Sequence, residues 1–252
     1  ALFLILALMR VPVWVALLVP AALYTLLMGR PLLFPATNMV RALDSFTLLA
    51  IPLFIFVGSL MNHGEVTEKI FDFADSIVGH YTGGMAQVNI ITSLIFSGIS
   101  GSALADIGGV GRVLIESMED AGYDSDFSAA LTSASATVGP IFPPSIPLIL
   151  YGIIAEVSVL SLLLAGALPA TLTVLFLMVG TMLIAKKRGF PKNDKRASIR
   201  EIGRSFALAF PALFTPVVLI WGMLTGLFSP TEAAGVTVAY ILVINTFVYR
   251  IT

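Results

Sequence analysis

The chain contains no cysteine and only two histidines among its 252 residues. A disulfide framework, a thiolate metal site and a thiol nucleophile are therefore excluded, and an imidazole cluster has almost nothing to draw on. Charge is scarce too. Charged residues make up 12%, about half the roughly 25% of a soluble domain, whereas hydrophobic residues reach 58% and mean hydropathy is +0.98. These values predict an all-α polytopic membrane protein whose first partner is the lipid bilayer. A net charge of −1 identifies no further partner, and no basic face for nucleic acid is expected.

The placement of charge is more informative than its sum. Eight of the 14 Lys and Arg fall between 186 and 204: Lys186, Lys187, Arg188, Lys192, Lys195, Arg196, Arg200 and Arg204. The positive-inside bias puts that loop in the cytoplasm. Threading outward from it, 158–185 is a long apolar span interrupted by Gly166, Pro169 and Gly180, 205–228 returns, and 233–249 crosses again to finish at Arg250. The acidic run from Glu116 to Asp126 also falls on the cytoplasmic side, since acidic residues count little in orientation. Residues 11–28 and 45–62 read as upstream spans. Residues 1–9 read as the tail of an element that begins elsewhere or the start of a helix kinked at Pro12, and 30–44 as a short interfacial segment. There is no initiator Met and no recognisable signal peptide. Over 65–78, Val66, Ile70, Phe73 and Ile77 recur at helical spacing against Glu68, Lys69, Asp72 and Asp75, as in an amphipathic helix along the interface; a short connector facing solvent is the alternative.

Two apolar stretches, 83–118 and 126–157, are each interrupted partway. The first break spans Ser97 to Asp106 and the second Thr137 to Ser145. Met85–Phe96 and Ala103–Met118 are each too short to cross, so 83–118 reads as a re-entrant hairpin with Ser100-Gly101-Ser102 at its tip, and 126–157 as a broken transmembrane helix. Backbone outside a helix at that depth is tolerated where protein or a wet cavity satisfies it. Unwound carbonyls and hydroxyls suit a dehydrated alkali cation, and helix ends add their dipoles. Ser100, Gly101 and Ser102 are the expected cation ligands on the hairpin side, and Thr137 and Gly139 on the other. Pro140, Pro143, Pro144 and Pro147 keep the second break open. Ser102, Asp106, Pro144 and Ser145 are candidates for substrate contact. Asp106 is a candidate for cation attraction or for a structural pair with Arg112. The competing reading is that small residues only allow close packing, with Ala129, Ser133 and Thr137 at i, i+4 spacing doing no more. Glu232 reads as structural: Ser229 caps the last helix, with Pro230 at N1 and Glu232 at N3.

Two other function classes remain in view. Gly98-Ile99-Ser100-Gly101 spells the GxSG of an intramembrane serine protease, yet His63 and His80 both precede it in interfacial segments and no histidine follows. A channel would use similar carbonyl-lined breaks but needs a continuous pore.

The chain resembles the large membrane subunit of tripartite ATP-independent periplasmic (TRAP) transporters. The resemblance runs nearly end to end: Leu43-Asp44-Ser45-Phe46, Leu48 to Phe54, Gly79 to Gly84, the Ser97–Asp106 tip, Ala121 to Asp124, Gly139 to Pro147, Tyr151-Gly152 and Ser229 to Ala234. It implies a sodium-driven elevator importer of organic acids in the bacterial inner membrane, with Na⁺ as coupling ion, no other cofactor and no enzyme activity. It further implies a small four-helix membrane subunit, fused or separate, and a soluble periplasmic substrate-binding protein. On that pattern 1–63 and 205–252 are scaffold, 64–82 an interfacial arm, 83–185 half of the transport domain and 186–204 the basic loop. The family carries two inverted repeats of hairpin plus broken helix. One is present here, so the chain is expected to be the N-terminal half of a longer subunit. Among organic acids, C4-dicarboxylates and sialic acid both fit, with a lean toward sialic acid from Gly79–Gly84 and Leu148–Ser158.

Overall fold

The computed structural model describes residues 2–31, 33–44, 46–62, 65–191 and 196–249. His63, Lys192, Lys195, Ser45 and Arg250, used above, lie outside the described residues. The described residues are predominantly helical and contain no strand. They fall into two compact units, 1–48 and 49–252.

In the first unit, α1 (Leu2–Leu8) and α2 (Val13–Leu27) are separate helices rather than one kinked helix. Arg10 takes a left-handed φ of 60°, and Pro12 is the N-cap of α2, so the chain breaks outright between them. Residues 33–43 form a third helix, α3 (Leu33–Leu43), inside the 30–44 segment.

The second unit opens with α4 (Ala50–Met61) and α5 (Glu65–Val78). On α5, Val66 and Ile70 of the expected stripe are buried, but the buried face continues through Ala74 and Val78, leaving Phe73 half-buried and Ile77 exposed; Glu65, Glu68 and Asp72 are exposed. Next, α6 (Gly84–Ser100) runs one turn further than its apolar leg suggested and stops at Gly101, where φ is +60°. The helix therefore absorbs Ser97-Gly98-Ile99-Ser100, and the interruption is confined to Gly101 and Ser102. The chain then turns back through α7 (Ala103–Asp106), a π-helical turn at Ile107–Gly111 and α8 (Arg112–Asp120). Met118, near the end of α8, packs with Ala86 and Ile90 near the start of α6, as a helical hairpin requires.

The second interrupted stretch comprises α9 (Ser125–Ala136), an irregular segment over 137–145 and α10 (Ile146–Ile154). α11 (Val159–Arg188) then runs 30 residues, or about 45 Å, longer than the ~30 Å hydrocarbon core. It keeps helical through the first basic residues, and α12 (Ile199–Leu213) already begins inside the expected loop, so both ends of 186–204 are helical. The span expected over 205–228 is two helices, α12 and α13 (Thr215–Leu224), bent by 50°. Pro216 at the start of α13 has no N–H to continue the ladder, which accounts for the break. α14 (Pro230–Val243) starts with the expected capping box: Ser229 N–H donates to Glu232 Oε2 at 2.8 Å. By length and composition, Val159–Arg188 and Pro230–Val248 can each cross a membrane, and the bent α12–α13 pair can do so as one span. This is a membrane protein.

Candidate functional site

The hairpin turn and the break of the second stretch meet. The Ile146 amide donates to the Gly101 carbonyl at 3.3 Å. A methyl on Gly101 would lie 2.5 Å from the Pro144 carbonyl oxygen, and one on Gly139 would lie 3.1 Å from both Ala103 N and Asp106 Oδ2. Only residues without a Cβ allow the two backbones this close. Ser145, fully buried, caps α10 by accepting from Leu148 N–H and donates its own hydroxyl to the Pro140 carbonyl. The proline break is thus bridged by one serine.

Asp106 sits at the centre of this contact and is 2% exposed. Ser97 Oγ donates to its Oδ2 at 3.2 Å, and Ser100 Oγ donates to its Oδ1. Among the described residues no cation pairs with it. Arg112 instead binds Glu116 at 2.8 Å with most of its side chain exposed, so the Asp106–Arg112 pair does not form. The reason is geometric: the π-helical turn between them sends Arg112 outward on α8.

Around the carboxylate the main chain presents oxygens that no amide uses. Gly101 N–H reaches back to Ser97 O, and among the described residues the carbonyls of Gly98, Ile99 and Ser100 at the end of α6 receive no hydrogen bond. Across the contact, the Thr137, Gly139 and Pro144 carbonyls likewise receive none among the described residues. Two helix C-termini, those of α6 and α9, therefore bring partial negative charge to the neighbourhood of one carboxylate. Chemically this is an oxygen-rich environment, with the Ser102 and Ala103 amides beside it, and its oxygens suit a small cation.

Seven of the eight residues singled out from sequence are buried or half-buried where the two segments meet: Ser100, Gly101, Ser102, Asp106, Gly139, Pro144 and Ser145. Thr137 does not contribute its side chain, because it is exposed and its hydroxyl donates to Ala134 O at 2.6 Å within its own helix end. The packing stripe Ala129, Ser133 and Thr137 is exposed throughout, so it is not the face on which α9 packs against α6. For the protease reading, among the described residues Ser100 bonds Asp106 and Ser102 and no imidazole or amine.

Sequence reasoning missed the buried polar ladder beneath the site. Asn89 Nδ2 donates to Thr132 Oγ1 at 2.7 Å, Ser135 Oγ donates to Asn89 Oδ1 at 3.0 Å, and Ser93 and Ser135 hydroxyls are 2.9 Å apart. The signal was available: Asn89, Ser93 and Ser97 stand at i, i+4, i+8 on α6, matched by Ser128, Thr132 and Ser135 on α9. This zipper fixes the first hairpin leg to the first half of the broken helix and thereby sets the register of the tip. Hydrogen bonds between membrane helices are worth about 0.6 kcal/mol on average, and Asn89 anchors two, so Asn89→Ala should cost about 1–2 kcal/mol. The complete permease carrying it is expected to melt a few degrees lower; an unchanged melting temperature would remove the zipper from the account.

The whole chain, residues 1–252, matches the family model described as "Tripartite ATP-independent periplasmic transporter, DctM component". It is 48% identical over 249 residues to the sialic acid TRAP transporter permease protein SiaT of Haemophilus influenzae (strain 86-028NP), covering 98% of this chain and 40% of that protein. It is 50% identical over 217 residues to the sialic acid TRAP transporter large permease protein SiaM of Vibrio cholerae, covering 86% of this chain and 51% of that one. The 2,3-diketo-L-gulonate TRAP transporter large permease protein YiaN of Escherichia coli (strain K12) is 37% identical over 237 residues, covering 94% and 56%. The chain spans about half the length of the curated relatives it matches.

Proposed function

We propose that this chain, which belongs to the DctM component family of tripartite ATP-independent periplasmic transporters, supplies a sodium site that couples the Na⁺ gradient to uptake of an organic acid. The observation that carries this reading is Asp106: a buried carboxylate with two hydroxyl donors, no cationic partner among the described residues and unused carbonyls around it. A buried carboxylate without a counter-charge is costly, and a bound cation compensates it while using the free carbonyls that a proton would leave idle. Na⁺ would sit among the carbonyls of the α6 and α9 C-termini with Ser100, Gly101, Ser102 and Gly139 as neighbours. The N-terminus of α10, capped by Ser145, favours a substrate carboxylate beside it.

Sialic acid is the substrate favoured by the two sialic acid permeases near 50% identity, with C4-dicarboxylates the alternative. On this reading the complete permease lies in the bacterial inner membrane, works with a small membrane subunit and a periplasmic binding protein, and moves the hairpin with the broken helix as an elevator. Reconstitution of the complete permease with its binding protein tests it. Saturable sialic acid uptake is expected under an inward Na⁺ gradient and not under a K⁺ gradient of the same size. Uptake that ignores the cation, or flux that never saturates as in a channel, would contradict it.

A further inference from the structure

α7 is a single helical turn, Ala103–Asp106, set between Gly101, whose φ is left-handed, and the π-helical turn Ile107–Gly111, which carries Gly108, Gly109 and Gly111. One isolated turn is marginal, and glycine on both sides leaves its direction loosely set by the chain alone. Asp106 is nonetheless the one buried residue of α7, turned toward Ser97 and Ser100 on the opposite leg of the hairpin. Its reach across depends on the distance between the legs.

α4 touches both legs. Gly58 lies against the end of the first, where an added Cβ would stand 3.3 Å from Ser100 Cα and Cβ. One turn on, the Asn62 side-chain amide lies against Gly109 in the second, so closely that a Cβ there would come within 2.6 Å of Oδ1 and nearer still to Cγ and Nδ2. Val57 and Met61, on the same stretch of α4, share one buried cluster with Phe96 and Ile99 of the first leg and Val110 and Leu114 of the second. α4 is anchored in turn, because Asn245, just past α14, donates from Nδ2 to the Leu60 carbonyl at 3.0 Å. Asn62 Oδ1 is buried and accepts no hydrogen bond among the described residues. An apolar side chain would avoid that cost, so stability alone does not account for an asparagine here.

We propose, on the reading that the cluster binds sodium, that α4 braces the hairpin through these two contacts and that Asn62 is a positioning residue. Its amide sets the depth of the π-helical turn and so keeps Asp106 within reach of Ser97 and Ser100. Asn62 acts on the carboxylate through Gly109, which leaves room for the amide only because it has no Cβ.

Sodium titration of uptake by the complete permease tests the brace. Gly109→Ala is expected to push the Asn62 amide aside and raise the sodium concentration for half-maximal uptake about tenfold, with substrate KM at saturating sodium within about twofold of wild type. A merely structural defect would lower Vmax through the amount of working permease and leave half-saturation where it was. Adding Asn62→Ala to Gly109→Ala makes room for the new methyl, which then fills the place of the lost amide, so half-saturation should return most of the way to wild type. Gly108→Ala should not move it, since a Cβ there meets nothing within 4 Å. Unshifted half-saturation in Gly109→Ala, or a shift that Asn62→Ala does not relieve, overturns the proposal. Should Gly109→Ala fail to fold, Asn62→Ala alone decides: it removes an acceptor that has no donor, so its melting temperature should change little while half-saturation still rises. A lower melting temperature with unshifted half-saturation would make Asn62 a packing residue only and overturn the brace. Wild-type uptake that ignores sodium would instead contradict the sodium site itself, and the brace with it.

Discussion

Substituting Asp106→Asn in the complete permease is expected to raise the sodium concentration for half-maximal uptake about tenfold to a hundredfold, the equivalent of losing about 1.5–3 kcal/mol of charge-assisted interaction. The carboxamide is nearly isosteric: Ser100 keeps an acceptor in Oδ1, and the Ser97 hydroxyl, which donates to Oδ2 of the carboxylate, turns to accept from Nδ2 instead, so the turn keeps its shape. What disappears is the negative charge. The same change removes a buried carboxyl that the sodium-free protein has either to protonate or to hold without a counter-charge, so its melting temperature in sodium-free buffer should rise. The two readouts thus move in opposite directions: a more stable protein that responds to sodium less. A residue with a merely structural role would lose stability and sodium response together. If Asp106→Asn leaves sodium dependence where it was, the carboxylate is not facing the cation.

The second large effect is expected at the hairpin tip. Gly101→Ala places a Cβ on a left-handed residue, which costs about 1–2 kcal/mol for an L side chain before any contact is counted. That Cβ would also lie 2.5 Å from the Pro144 carbonyl oxygen and 3.1 Å from the Ile146 amide. Both are backbone atoms, which cannot swing aside as a flexible side chain would. Either the turn separates from the proline break, breaking the Ile146–Gly101 hydrogen bond, or the α6 cap unwinds. Sodium-driven uptake by Gly101→Ala should fall to background, measured beside Gly108→Ala as a control. At Gly108 a Cβ meets nothing within 4 Å and φ is not positive, so near-normal uptake is expected. Comparable uptake by both variants would mean that the tip and the break need not touch.

Much of this architecture was legible in the amino-acid order because membrane helices are punctuated by strong local chemistry. α5 runs from Glu65 to Val78 as its amphipathic spacing required. The capping box at Ser229 announced the start of α14, and the Gly–Ser and Pro–Pro interruptions fell where the helices stop. Other features were hidden for identifiable reasons. Ser97 to Ser100 look like part of a break by composition, yet they remain helical because their small side chains pack at the contact, with Gly98 against the Phe142 ring. The bend between α12 and α13 lies in a continuous apolar run, where hydropathy carries no trace of it.

For the site, the residue types were readable and their company was not. Ser100, Gly101 and Gly139 could be chosen as breaks, but which hydroxyls aim at Asp106 depends on how α6 turns about its axis, and the polar ladder with α9 sets that rotation. Thr137 illustrates the limit. Its hydroxyl is of the right type at the right place in the chain, and a local bond to Ala134 O turns it away. Arg112 is a second case, since its partner proved to be Glu116, four residues on along the same helix face.

Equilibrium binding of radiolabelled sodium to the purified complete permease, for wild type and for Asp106→Asn, tests the central claim most directly, because it needs neither substrate nor transport. The account predicts saturable binding by wild type that excess K⁺ does not displace, and, at the concentration that half-saturates wild type, occupancy of that site by Asp106→Asn of about a tenth or less. Identical binding isotherms for the two proteins would contradict it.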